Sequence, residues 1–421
     1  MTQNRSRPAA AARRWRSLAR YRWAQSTGTP LIAARSFLDT RISPWVTVTS
    51  TAVTSTAGAH GPSIAYAGVP DGVVKIHQLL EQRRDALGAV TGRVTGRVTG
   101  TVTGTVTGAV TTERTSGRAD REALLRGDWL PDADLVAVGC SAAQARRLSG
   151  TAALVLPFRL HLLAPTHDGP DGWWRRMSRS ERRWSSSTLR TGPWGLELAE
   201  DAASFDHFYD RMHVPTILAR FGDRARTEPR DLARECLFRH GVLAFVTHAG
   251  ARVAGLLCRW EPRERVLIIR LVGVLDGLAE HYDSGAMRAT DHLLLAWAAG
   301  RGVRHVDFGA VEPFLSQGIF QRKRLLCPVA VPPPNHLRNL RLWWHARRDT
   351  SAVRDFLVAN PVVELAGDGR PRAVYFHDRH RPARLDLART REGIGGPRTV
   401  SLDEFLAGRP SLAPADARSG T

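Results

Sequence analysis

Three apolar runs between residues 241 and 274, parted only by tight polar turns, limit the possible fold more than any other feature of this chain. "GVLAFVTHAG" and "RVAGLLCRW" meet across Ala249-Gly250, while "RVAGLLCRW" and "RVLIIRLVGVL" meet across Glu261-Pro262-Arg263-Glu264. Runs spaced so closely read as an antiparallel meander. The third is apolar almost throughout, which suits the interior of a sheet. After the loop "DGLAEHYDSG", the segment "AMRATDHLLLAWAAGRG" carries Ala286, Ala289, Leu293, Leu294, Trp297 and Ala298 on one helical face and ends at Gly300 or Gly302. "VRHVDFGA" then reads as a strand beside the third run.

Upstream, "DADLVAVG", "SAAQARRL" and "AALVLPFRLHLL" alternate strand, brief helix and strand, with Ser141 as the helix N-cap. Such alternation marks an α/β unit. "FDHFYDRMHVPTILARFG" spaces Phe205, Phe208, Tyr209 and Met212 as a helix. Pro215 is expected to break or kink it, Gly222 to close the next turn, and His213 stands beside the break. Residues 1–120 show little clear periodicity. They include "VTGRVTGRVTGTVTGTVTGAVT", whose four-residue period fits neither helix nor strand, so it reads as a low-complexity insertion at 90–111 without chemistry.

A chain of 421 residues exceeds one ordinary core. Its 43% apolar and 24% charged content is that of a globular protein, with no apolar run long enough to cross a bilayer. The basic N-terminus lacks the apolar stretch of a secretory signal, and a cytoplasmic bacterial protein is expected. Four scattered cysteines form no C-x-x-C pair, and His377-Asp378-x-His380 has no partner pair, so no metal is expected. The net charge of +20 attracts polyanions. Arg175, Arg176, Arg179, Arg182 and Arg183 are expected to share one or two faces of a helix, either simply solvated or contacting phosphate. There is no Walker A loop, strand-placed G-x-G-x-x-G, G-x-S-x-G elbow or helix-turn-helix signature.

Of 60 basic residues only Lys75 and Lys323 are lysine, and Lys323 stands between Arg322 and Arg324, beyond Asp307-Phe308-Gly309. A lysine is a compact point charge suited to a phosphate or a developing oxyanion, whereas arginine is a rigid fork. "YDSGAMRATDHLLLAWAAGRGVRHVDFGA" followed by "GIFQRKR" resembles the C-terminal domain of FemAB-like acyltransferases of the GNAT superfamily, including BioF2-like and CelD-like proteins. The resemblance covers roughly residues 130–330. It matches a small-residue helix entrance at Ser284-Gly285, a helix end at Gly302, the D-x-G of Asp307 to Gly309, and Lys323. It departs at Cys327, where the family has Gly, and at Gln321, near its common aromatic. The Q/R-x-x-G-x-G/A of small GNAT enzymes is absent from the helix entrance.

The resemblance implies an α/β fold: a GNAT-like mixed, largely antiparallel sheet flanked by helices, with a smaller related α/β unit. Expected segments are 1–120 with its repeat, a smaller unit at 121–204 with the basic helix, a catalytic domain at 205–345, a closing segment at 346–390 and a loose tail at 391–421. The implied reaction moves an acyl or aminoacyl group from acyl-CoA (acetyl-CoA) or aminoacyl-tRNA to a small-molecule or peptide amine. A non-enzymatic RNA- or membrane-binding scaffold is the alternative. Lys323, Tyr282 and Asp307 are the catalytic candidates. The donor would lie on the amides of Val272, Gly273 and Val274 and at Ser284-Gly285, an entrance where helix amides favour anions. Glu280, Asp283, Glu312 and His213 would position substrate, and Arg322 and Arg324 would contact phosphate.

Overall fold

The computed structural model describes residues 15, 18–19, 21–23, 27–54, 61–73, 110–148, 150–166, 172–222, 225, 227–390 and 392–408. Of the repeat at 90–111, residues 90–109 lie outside the described residues, and Val110 and Thr111 open a strand.

The described residues form a mixed α/β assembly of three sheets, largely antiparallel and flanked by helices. In chain order the strands are β1 (Trp45–Thr54), β2 (Ile64–Gly68), β3 (Val110–Ala119), β4 (Leu135–Ser141), β5 (Ala153–Pro157), β6 (Leu160–Pro165), β7 (Trp194–Ala199), β8 (Gly241–His248), β9 (Ala251–Glu261), β10 (Val266–Val274), β11 (His305–Val311), β12 (Val329–Val331), β13 (Leu340–Ala346), β14 (Val362–Leu365), β15 (Pro371–His377) and β16 (Gly395–Ser401). One sheet has the order β3-β1-β2-β4-β13-β5, a second β12-β6-β11-β10-β9-β8-β7, and a third β14-β15-β16.

The meander stands as its turns dictate. Ala249 and Gly250 both take positive φ, 50° and 81°, the geometry of a two-residue hairpin turn whose twist matches the strands it joins. β10 lies inside the sheet, antiparallel to β9 and parallel to β11. The helix α1 (Ala286–Gly300) crosses over between them. Its buried face includes His292 and Leu295 as well as Ala286, Ala289, Leu294 and Ala298, while Leu293 and Trp297 are only partly covered.

Three expectations are corrected. Pro215 does not break its helix. The chain runs helically from Ala202 to Phe221, and the stretch Phe208–His213 widens to π-helical bonding just before the proline. Opening the turn there lets the helix continue past a residue that cannot donate. Residues 1–120 are not a separate region: β1, with its alternating valine and threonine, β2 and β3 build the first sheet with β4. The tail from 391 is not loose through 408, because β16 pairs in parallel with β15 and Ser401 caps the helix Leu402–Leu406.

Sheet membership also cuts across a boundary at 204/205. β6 leaves the first half to pair with β11, and β13 returns from the second half to lie between β4 and β5. Each half lends the other a strand. The third sheet completes the join through the two-residue period of its strands. Val362, Val374 and Phe376 enter the core of the first sheet, and their neighbours Val363, Ala373 and Tyr375 enter the core of the second. No helix among the described residues is long and apolar enough to cross a membrane.

Candidate active site

The site begins where two parallel strands part. β10 and β11 pair only over Val266↔His305, Leu267↔Val306 and Ile268↔Asp307. Both strands are irregular just beyond, β10 between Ile269 and Leu271 and β11 between Asp307 and Ala310. Bulges bend a strand and increase its twist, so here they turn the two strands away from each other. Gly309, at φ 81°, gives β11 a conformation that a residue with a Cβ rarely adopts.

The opened edge of β10 is satisfied by the helix α2 (Val214–Phe221) and the π-turn before it. Thr216 Oγ1 accepts from the Val274 amide at 2.8 Å, and His213 Nδ1 donates to the Val272 carbonyl at 3.0 Å. Burial lowers the pKa of His213, partly offset by the bond to the Val272 carbonyl. His213 thus holds strand to helix and does not line the cleft. Gly273 makes the close approach possible, because a Cβ there would lie 2.4 Å from the Met212 carbonyl carbon.

Between the parted strands lies a cleft of about 830 Å³. Ile268, Ile269, Arg270 and Val272 form one wall, and Phe308, Gly309 and Ala310 the other. Arg159, Arg220, Arg270, Arg322 and Lys323 ring it with positive charge, against Asp291 as the lining carboxylate. Asp291 accepts from Arg322 at 2.5 Å. Arg159 donates at 2.8 Å to buried Glu312, and Arg270 at 3.1 Å to Glu228.

At the apex, Asp307 Oδ1 accepts the Gly309 amide at 2.8 Å and Oδ2 accepts His161 Nδ1 at 2.7 Å. The D-x-G of the sequence is therefore a carboxylate that closes its own bulge and orients an imidazole. With Nδ1 engaged, Nε2 is the free edge of a ring that lines the cleft. Lys323 ends the short helix α3 (Gly318–Lys323), and its Nζ donates to the Phe308 carbonyl within the same bulge. Burial pushes the Lys323 pKa down to about 8, partly offset by Asp291, Asp307 and Glu312. A protonated ammonium has three donors, so two remain for a ligand.

The expected residues separate clearly. Lys323, Val272 and Arg322 line the cleft, and Tyr282 stands half-exposed on its rim. Asp307 is 2% exposed and reaches the cleft only through His161, which sequence reasoning missed. Its only signal was a histidine in the apolar run "FRLHLL". Gly273 and Val274 do not line the cleft, the first facing the π-turn and the second having its amide taken. Ser284 and Gly285 do not line it either, although Tyr282 and Met287 on either side do. The Ser284 hydroxyl donates to the His281 carbonyl at 3.0 Å, and Gly285 faces the Trp184 ring. Exposed Glu280 and Asp283 lie outside the cleft, and Glu312 serves Arg159.

The basic segment is two short helices, Gly172–Arg176 and Arg179–Trp184, so its arginines share no continuous face. Arg176 pairs with Glu392 at 3.0 Å, Arg182 donates to the Arg175 carbonyl, and Arg179 and Arg183 are exposed. None of the five lines the cleft. Arg324 donates to Gln321 at 2.6 Å. Cys327 takes φ 50° and ψ 52°, so the chain still makes the left-handed turn expected of a glycine there.

No family model matches the sequence, and no curated protein matches it. Among solved structures the chain is similar to L-PGS from Bacillus licheniformis, at 11% identity over 73% of this chain and 85% of that one, with a TM-score of 0.33. It is similar to FemX at 10% identity, 69% and 83% coverage and a TM-score of 0.33. A GCN5-related N-acetyltransferase from Kribbella flavida gives 13% identity, 69% and 84% coverage and a TM-score of 0.25. Overlaps at these scores carry no argument, and the chemistry is read from the cleft itself.

Proposed function

We propose that this protein is a GNAT-type, FemAB-like acyltransferase that moves an acyl or aminoacyl group from acyl-CoA or aminoacyl-tRNA to an amine. The convergence of the Asp307–His161 pair and Lys323 where β10 and β11 part carries the reading. Acyl transfer to an amine needs a proton acceptor for the nucleophile, a counter-charge for the tetrahedral oxyanion and a proton for the leaving group. His161 Nε2 takes the amine proton, with Asp307 fixing the tautomer. The Lys323 ammonium faces the oxyanion. Tyr282, on the rim, donates to the departing thiolate or ribose oxygen. The ring of arginines suits the phosphates of either donor.

Acyl transfer from each donor to a panel of amines tests this. His161→Gln is expected to slow turnover by roughly 100- to 10,000-fold at an unchanged melting temperature. The cognate donor should raise that temperature. A protein that no donor stabilises, that transfers no acyl group and that binds RNA with steep salt dependence would be a binding scaffold instead.

A further inference from the structure

Outside the residues that line the cleft, three residues distant in sequence bring ligand atoms together. Asp39 lies in the π-helical turn Leu38–Ile42, Asp71 in the turn Pro70–Gly72, and His336 opens the turn His336–Asn339 that leads into β13. One oxygen from each aspartate and a nitrogen of His336 lie within 4.8 Å of one another. His336 is 5% exposed, and its Nε2 stands 3.3 Å from Asp71 Oδ2 and 3.5 Å from Asp39 Oδ2.

Those separations set the cluster apart from two buried histidine–carboxylate pairs among the described residues; His281 Nε2 also stands back, at 3.8 Å, but from the single carboxylate of exposed Glu280. His161 and His292 approach their carboxylates to 2.7 and 2.8 Å, as charge-assisted hydrogen bonds do. The His336 nitrogen instead stands back, nearly equidistant from two carboxylates. Ligand atoms bound about 2.0–2.1 Å from a tetrahedral metal lie about 3.4 Å apart, which matches the two histidine–carboxylate separations, and the two carboxylate oxygens lie within 4.8 Å of each other. Asp39 Oδ2, the oxygen nearest His336, also accepts from Arg35 Nε at 2.7 Å, which holds that carboxylate in place. Gln144 fixes the adjacent Thr40 carbonyl at 3.0 Å, so the segment is held in position by contacts of its own.

We infer that Asp39, Asp71 and His336 form a binding site for a divalent transition cation of the zinc class. Two carboxylates and one neutral imidazole supply three ligands and compensate the dication. Asp71 is the exposed residue of the three, and a water would be the fourth ligand that such a site takes. The spacing of 39, 71 and 336 resembles no metal motif, so a reading of sequence expects no metal. The site ties the N-terminal helical segment and the β2 turn to the chain entering the exchanged strand β13. Leu337, next to the histidine ligand, lines the cleft, so loading the site stiffens that wall.

The test uses the full chain, stripped with chelator and dialysed. Adding zinc ion should raise the melting temperature by several degrees, and cobalt(II) should give the visible absorption of a tetrahedral site at one equivalent. His336→Gln should lose both responses, whereas His380→Gln, in the exposed C-terminal turn, should keep them. Asp71→Asn, a substitution at an exposed position, should weaken cobalt binding roughly tenfold or more even if the His336 variant fails to fold. The site is ruled out if stripped wild-type protein gains no stability from zinc. It is equally ruled out if the His336 and Asp71 variants respond as fully as wild type, since the metal would then be held by other histidines.

Discussion

Lys323 sits half-buried with its ammonium on the Phe308 carbonyl, and its pKa falls from 10.5 to about 8 because burial penalises the charge. Below pH 8 both folded and unfolded chains hold the proton, so the cost of burying the charge is fully present. Between about pH 8 and 10.5 only the unfolded chain holds it, so this residue's contribution to stability rises with pH across that window. Lys323→Met should accordingly unfold at a higher denaturant concentration at pH 7, by roughly 1 kcal/mol once the orphaned Phe308 carbonyl is counted. That advantage should shrink toward pH 10. With the ammonium facing the oxyanion, as proposed, activity would move the other way. Turnover should fall as pH rises through about 8, and Lys323→Arg, always charged but the wrong shape, should be inactive at every pH.

Asp307→Asn keeps the size of the side chain but loses the carboxylate that selects the His161 tautomer. It should lower kcat far more than it raises KM, with the loss read from initial rates at saturating donor. Lys323 was legible because it is an outlier in an arginine-rich chain, and Asp307 because it heads a D-x-G. His161 was not legible. A lone histidine in "FRLHLL" looks like packing until β6 is known to lie beside β11, which pairs positions 146 residues apart.

The cleft is made by elements as much as by side chains. The parting of β10 and β11 leaves an edge that the helix before Phe221 must satisfy, and Gly273 lets it come close enough to do so. Gly273→Ala should cost about 1–3 kcal/mol in urea unfolding and widen the cleft wall. Thr216→Val, which orphans the buried Val274 amide, should cost about 1–3 kcal/mol by the same measurement. The meander and crossover helix were legible because period, turn residues and run length all agree locally. The π-turn was not, because Pro215 alone reads as a break and only the packing of Met212 and His213 against Gly273 favours continuing the helix. The entrance at Ser284-Gly285 was legible as a helix start, but not that Gly285 faces a neighbouring ring. The Trp184 ring that faces it comes from a segment a hundred residues earlier.

At the scale of the whole molecule, β6 and β13 are exchanged and the third sheet feeds both cores. The halves should therefore melt together. Thermal unfolding should show one cooperative transition, and Phe376→Ala, which removes a fully buried ring on the first-sheet side, should lower the melting of the cleft half equally. Two separated transitions would mean that the halves are independent. This organisation escaped the sequence reading because strand exchange depends on pairings roughly 140 to 210 residues apart. Local patterns identify the strands without saying which sheet receives them.

The central claim is that the space between the parted strands holds the acyl donor. Ala310 lines that space without belonging to the proton-transfer or charge-bearing groups, so Ala310→Trp fills the cleft and leaves them in place. Calorimetric titration of wild type and of this variant with acyl-CoA and with aminoacyl-tRNA is the direct test. The account predicts that one donor binds wild type and fails to bind a variant that is still folded. Equal binding to both proteins would put the donor elsewhere and contradict it.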